Sequence, residues 1–169
     1  MNVLYVSENE SRVMPCSLAE TAEDICCGDL PDVIQTCGAR GAMFSCFLRT
    51  NARYSPYFRR TRIVHTVGED EVGVTFPEDE YTSADLGDLI KNISAGGRIY
   101  PTAGAVIYCD RVIVRSRALC AESGPLLPHY MRQFGFKVYE LPGARHEDYE
   151  RIYFELTKPK LSSLRTDGV

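Results

Sequence analysis

The chain has 169 residues, a net charge of −4, 44% hydrophobic and 25% charged content, values ordinary for one soluble domain with a real core. The acidic balance argues against a general nucleic-acid binder, which would be basic, and no apolar run approaches the roughly 18 residues of a membrane-spanning helix. The opening MNVLYVSENESR has no basic region followed by an apolar stretch, so a cytoplasmic chain, or one also nuclear, is expected, without membrane insertion.

Residues 1–50 are weakly patterned and are expected to form a loosely structured segment. SLAETAEDICCG predicts a short helix capped by Ser17, with Leu18, Ala22 and Ile25 on one side. GDLPDVIQTCGARG reads as a linker punctuated by Gly, Pro and Asp. Five of the seven cysteines crowd this region. With no C-x2-C or C-x4-C pair to suggest zinc, they are read as free thiols.

The patterning sharpens in residues 51–158, the expected domain. RIVHTV (62–67) and VGVTF (72–76) predict a hairpin across the acidic turn Gly68-Glu69-Asp70-Glu71. Leu86, Leu89, Ile90 and Ile93 fall at i, i+3, i+4 and i+7 of a helix opened by Thr82 or Ser83 and closed by Gly96-Gly97. AVIYC (105–109) and VIV (112–114) read as a buried strand region, either a hairpin or one bent strand. Leu127, Tyr130, Met131 and Phe134 predict a second helix, stopped by a left-handed Gly135. Strands are then expected at 136–141 and, with Ile152, Phe154 and Leu156 alternating, at 151–157. Residues 159–169 read as a tail. The expected fold class is α+β, a mixed and mostly antiparallel sheet with two main helices.

No catalytic constellation stands out. His65 is flanked by apolar strand residues, His129 sits on a helix surface, and His146 lies in the charged stretch RHEDYE without a spaced partner. TCGARGAM contains glycines but not G-x-G-x-x-G, so no dinucleotide fingerprint is read. RSRALCAESGP has one glycine and a glutamate where a pyrophosphate loop would need open backbone. The runs Glu69-Asp70-Glu71 and Glu78-Asp79-Glu80 read as solvated turns. No cofactor and no metal are expected.

The stretch 62–157 resembles the ornithine decarboxylase antizymes. The resemblance rests on VGVTFPEDEYTSADLGDLI, on Val112-Ile113-Val114 followed by Leu126-Leu127 and GFKV, on Pro142-Gly143, ARHEDYE and IYFEL, and on CCGDLPD, which looks like a frameshift segment. It implies an acyl-CoA N-acyltransferase-like fold without the catalysis. The implied function is that of a non-enzymatic regulator that binds ornithine decarboxylase monomers, blocks their homodimer and delivers them to the proteasome, so controlling polyamine levels. Its implied partners are that enzyme and the proteasome, with antizyme inhibitor and polyamines more remote. The implied contact residues are Asp85, Asp88, Tyr139, Tyr153 and Glu155. The alternative is an acyl-CoA-dependent N-acyltransferase with an unusual cofactor loop.

Overall fold

The computed structural model describes residues 1–7, 15–81, 86–87, 89–115 and 124–159. Five strands form one all-parallel sheet: β1 (Val3–Val6), β2 (Val33–Cys37), β3 (Arg62–Val67), β7 (Arg111–Val114) and β8 (Val138–Glu140), adjacent in that order. Six α-helices are described: α1 (Pro15–Cys27), α2 (Gly38–Thr50), α3 (Leu89–Ile93), α4 (Pro101–Tyr108), α5 (Leu127–Phe134) and α6 (His146–Thr157). A parallel pair needs a crossover, and here α1, α2, α4 and α5 each carry the chain from one strand to the next. This is an α/β fold, not the antiparallel α+β sheet expected from the sequence.

Alternation along the strands assigns the faces. Ile34, Ile63, Val67, Val112 and Val114 turn to the front, into one core with Leu18 and Ala22 of α1, most of α2, Val106 of α4 and Leu127 of α5. Val33, Val64 and Ile113 turn to the back, where Ile152 and Tyr153 of α6 cover them. The four crossover helices therefore layer one face, and the last helix crosses the other.

Several local expectations change with this topology. Residues 1–50, expected as a weakly structured segment, supply β1, α1, β2 and α2. α1 begins at Pro15, so Ser17 lies inside it and not at its cap. AVIYC is helix, not strand: Pro101 opens α4 at its first turn, and a short apolar run has no period to separate the two. The stretch 151–157 is also helix. Ile152, Phe154 and Leu156 do alternate, but Tyr149, Ile152, Tyr153 and Leu156 stand at i, i+3, i+4 and i+7, and these pack against the back of the sheet while Phe154 faces solvent.

VGVTF does not pair with β3. Only β4 (Phe76–Pro77) forms there, in a small antiparallel sheet with β5 (Ser94–Ala95) and β6 (Arg98–Ile99). Gly96 and Gly97, at φ +61° and +73°, make the two-residue hairpin turn between β5 and β6 and do not cap the preceding helix. Gly135 has φ −58° and opens a 3-10 turn before β8. The expected helix opening at Thr82 or Ser83 lies outside the described residues, as does the tail from residue 160. No described helix is long and apolar enough to cross a membrane.

The cysteine pattern has a measurable consequence. Cys46 of α2 and Cys109 after α4 are buried, and Cys27 is exposed. Burial raises the Cys46 thiol well above its ordinary value and pushes Cys109 from 9.0 up to about 12. Unfolded chains would ionise these thiols above about pH 8.5 while the folded chain keeps them neutral. The stability they contribute is thus present below that pH and lost as pH rises toward 12. Iodoacetamide at neutral pH should label Cys27 well ahead of Cys46 and Cys109, and the melting temperature should fall on the alkaline side. Early labelling of Cys46 would contradict this packing.

Candidate functional site

A concave surface lies outside the carboxyl ends of the parallel strands. β2 passes into α2 with no intervening loop, because Gly38 turns the chain at φ +81°, a conformation that L side chains rarely adopt. One turn on, Gly41 lies against the strand it left: a Cβ there would stand 3.3 Å from Thr36 Cβ. The two glycines bring the first backbone amides of α2, which have no partner within their own helix, to the edge of the sheet.

From the other side, β8 turns through Gly143, at φ +84°, into α6, which packs on the back face. α2 leaves the sheet edge to the front and α6 to the back, and a crevice opens between them. In open α/β sheets ligand sites lie outside the carboxyl ends of the strands, where this crevice lies.

Two adjoining cavities fill the crevice. One, of about 300 Å³, is lined by Tyr5, Gln35, Cys37, Thr66, Arg115, His146, Tyr149 and Tyr153. The other, of about 460 Å³, shares Cys37, Thr66 and Arg115 and adds Gly68, Glu69, Asp70 and Gly143. The floor is a fixed polar relay: the Tyr153 hydroxyl donates to Gln35 Oε1 at 2.9 Å, and Gln35 Nε2 donates to Thr66 Oγ1 at 2.5 Å and to the Thr36 carbonyl at 3.3 Å. Burial, then the neighbouring Tyr5, raises the Tyr153 phenol above its ordinary range, so it stays a donor.

The walls are aromatic. The Tyr149 and Tyr153 rings lie 6.3 Å apart, and Tyr5 is 56% exposed. Arg115 is exposed, and its side chain makes no ion pair among the described residues. His146, in the first turn of α6, reaches Glu150 at 3.2 Å on the open side.

Beneath this edge, on the front face, runs a second and wholly buried relay. His65 Nε2 meets both Glu71 oxygens, at 2.9 and 3.1 Å, and its Nδ1 lies 2.9 Å from Thr36 Oγ1. Thr36 Oγ1 lies 2.8 Å from Ser45 Oγ, which donates to the Gly41 carbonyl at 3.0 Å. With the Ser45 proton spent on a carbonyl, Thr36 must donate to Ser45 and accept from His65, which places a proton on Nδ1. The relay ties β2, β3 and the turn carrying Glu71 to the start of α2. His65 is therefore a structural residue, hydrogen-bonded on both nitrogens.

Of the five residues singled out for partner contact, three are described, and among these Tyr153 lines the crevice while the other two do not. Tyr139 lies on β8, half-buried beneath the Arg111 guanidinium at 5.6 Å, and Glu155 is exposed on α6. Asp85 and Asp88 lie outside the described residues. The crevice residues that composition and motif passed over are Gln35, Cys37, Gly38, Thr66, Arg115 and Tyr149. The signal for Gly38 was a glycine directly between a strand and a helix. The others become neighbours only through parallel pairing across the chain.

The fold has a counterpart among solved structures. The catalytic domain of starch synthase IV from Arabidopsis thaliana, bound to ADP and acarbose, matches this chain with a TM-score of 0.57 and 21% identity. The match covers 79% of this chain and 30% of that one. No protein-family model and no curated protein matches the chain. At such identity the likeness establishes fold alone: an open, all-parallel α/β sheet flanked by helices.

That finding overturns the antizyme resemblance and the inhibitor function drawn from it, since a five-stranded all-parallel sheet cannot be the acyltransferase-like sheet both require. The alternative of an acyl-CoA-dependent acyltransferase falls on the same ground. The motifs that carried the resemblance include segments now seen as helix, IYFEL foremost.

Proposed function

We propose that the crevice at the carboxyl edge binds a nucleotide. One observation carries the reading: the crevice opens where α2 and α6 leave the sheet on opposite faces, beside the Gly38-led start of α2. Backbone amides there suit a phosphate, and the exposed Arg115 guanidinium suits a second anionic oxygen. Tyr5 and Tyr149 offer flat apolar surface to a base. The ADP held by the structurally similar starch synthase domain supports the choice of ligand. The proposal extends to binding and not to catalysis.

Calorimetric titration of the chain with ADP tests it. Binding should weaken about tenfold in Arg115→Ala, the equivalent of one charge-assisted hydrogen bond. No heat with ADP, ATP or UDP at millimolar concentration would end the reading. So would affinity unchanged by loss of Arg115.

A further inference from the structure

At the opposite, amino edge of the sheet a third cavity lies where the chain enters β2 and β3. It measures about 320 Å³, and its lining includes Leu30, Pro31, Tyr57, Arg59 and Arg60. The walls are held in place. Thr61 Oγ1 donates to the Pro31 carbonyl at 2.9 Å, and the Arg62 amide donates to the Asp32 carbonyl at 2.8 Å. The Arg49 guanidinium donates to the Phe58 and Thr61 carbonyls at 2.8 and 3.0 Å. The cavity is pre-organised, which lowers the cost of filling it.

Its charge is unbalanced. In the run RTNARYSPYFRRTR most arginines are neutralised within the fold: Arg49 and Arg62 share Asp110, at 2.5 and 3.4 Å, and Arg53 pairs with Glu23 at 2.8 Å. Arg59 and Arg60 are exposed, and their side chains make no ion pair or hydrogen bond among the described residues. The one carboxylate in the lining, Asp32, accepts from the Asn2 amide at 2.8 Å. Two free guanidinium groups in a chain of net charge −4 mark a local basic site against the overall balance.

The rest of the rim is apolar. Leu30 is 42% exposed and Tyr57 57%, and tyrosine and arginine are the residue types that dominate binding energy at protein interfaces. A small inorganic anion would have no use for that rim. A nucleic acid would meet an acidic molecule beyond these two charges.

We infer that this cavity docks an acidic peptide segment of a partner protein, with an apolar side chain seated against Tyr57 and Leu30 and flanking carboxylates on Arg59 and Arg60. Guanidinium pairs carboxylate in a two-point fork, so the site selects charge and geometry together.

An array of short random peptides, incubated with the full chain and with the double variant Arg59→Glu/Arg60→Glu, tests this. The wild type should enrich peptides with aspartate or glutamate on both sides of a large apolar residue. The variant should lose that signal by about tenfold or more. Both side chains are exposed, so its melting temperature and ADP titration should match the wild type, which separates this site from the crevice. Absence of any acidic preference overturns the inference, as does equal binding by the variant. Displacement of the best peptide by inorganic phosphate or RNA at comparable concentration would also overturn it.

Discussion

Glu71→Ala should cost about 3–5 kcal/mol of folding free energy, the range for leaving one member of a buried ionisable pair without its partner. His65 is fully buried and Glu71 is 1% exposed, so no water replaces the lost carboxylate. The imidazole cannot turn to recover the bond, because its Nδ1 proton is committed to Thr36. Glu71→Gln separates shape from hydrogen bonding. A glutamine amide can donate to an unprotonated Nε2 of the same ring, which fills the cavity and satisfies the nitrogen, so its cost should stay near 1 kcal/mol. Urea unfolding of both variants is the measurement. If glutamine and alanine cost the same, the hydrogen bond between residue 71 and His65 does not carry the stability assigned to it.

That relay also shows why much of the fold could not be read along the chain. His65 was legible as a strand histidine in an apolar setting, and β3 lies at residues 62–67 as its β-branched run suggested. Its partners stand 29 residues before it and 6 after it, and the second broke the expected hairpin. Glu71 turns inward to His65, so the segment after it cannot lie alongside β3 as VGVTF was expected to. An acidic turn read as solvated thus contains a carboxyl side chain that is 1% exposed, among the most buried polar groups of the described residues. Charge runs face water unless a member finds a buried partner, and no local pattern reveals that partner.

Helix and strand were confused where the apolar run was short. The stretches 105–109 and 151–157 carry β-branched and aromatic residues that fit either period over five to seven positions. What decides them is the parallel topology, since strands that run the same way need a helix between them. Once the crossovers at α1, α2 and α4 are known, the glycines of TCGARGAM sit at a strand-to-helix turn, without the spacing of a dinucleotide fingerprint. The crevice was the least legible feature. Tyr5, Gln35, Thr66, Arg115 and Tyr149 come from five separate elements and connections, and only the sheet's register assembles them.

The α2–α4 contact yields the second large effect. Gly104→Val should destabilise the chain by about 3 kcal/mol, the upper part of the range for overpacking a filled core. A Cβ at residue 104 would stand 2.6 Å from Cys46 Sγ, with Ile93 Cδ1 and Cγ2 at 3.5 and 3.6 Å. Neither neighbour has room to retreat: Cys46 and Ile93 are fully buried, and α2 packs between the sheet and α4 with ten of its residues buried. Gly104 lies in the helical region, so the effect is steric and not a matter of backbone conformation. Cys46→Ala removes the atom that collides. If steric conflict is the cause, the double variant Cys46→Ala/Gly104→Ala should recover most of the loss of Gly104→Ala, a coupling that a double-mutant cycle reads directly. Purely additive costs would mean that the helices part elsewhere and that Gly104 does not set their separation.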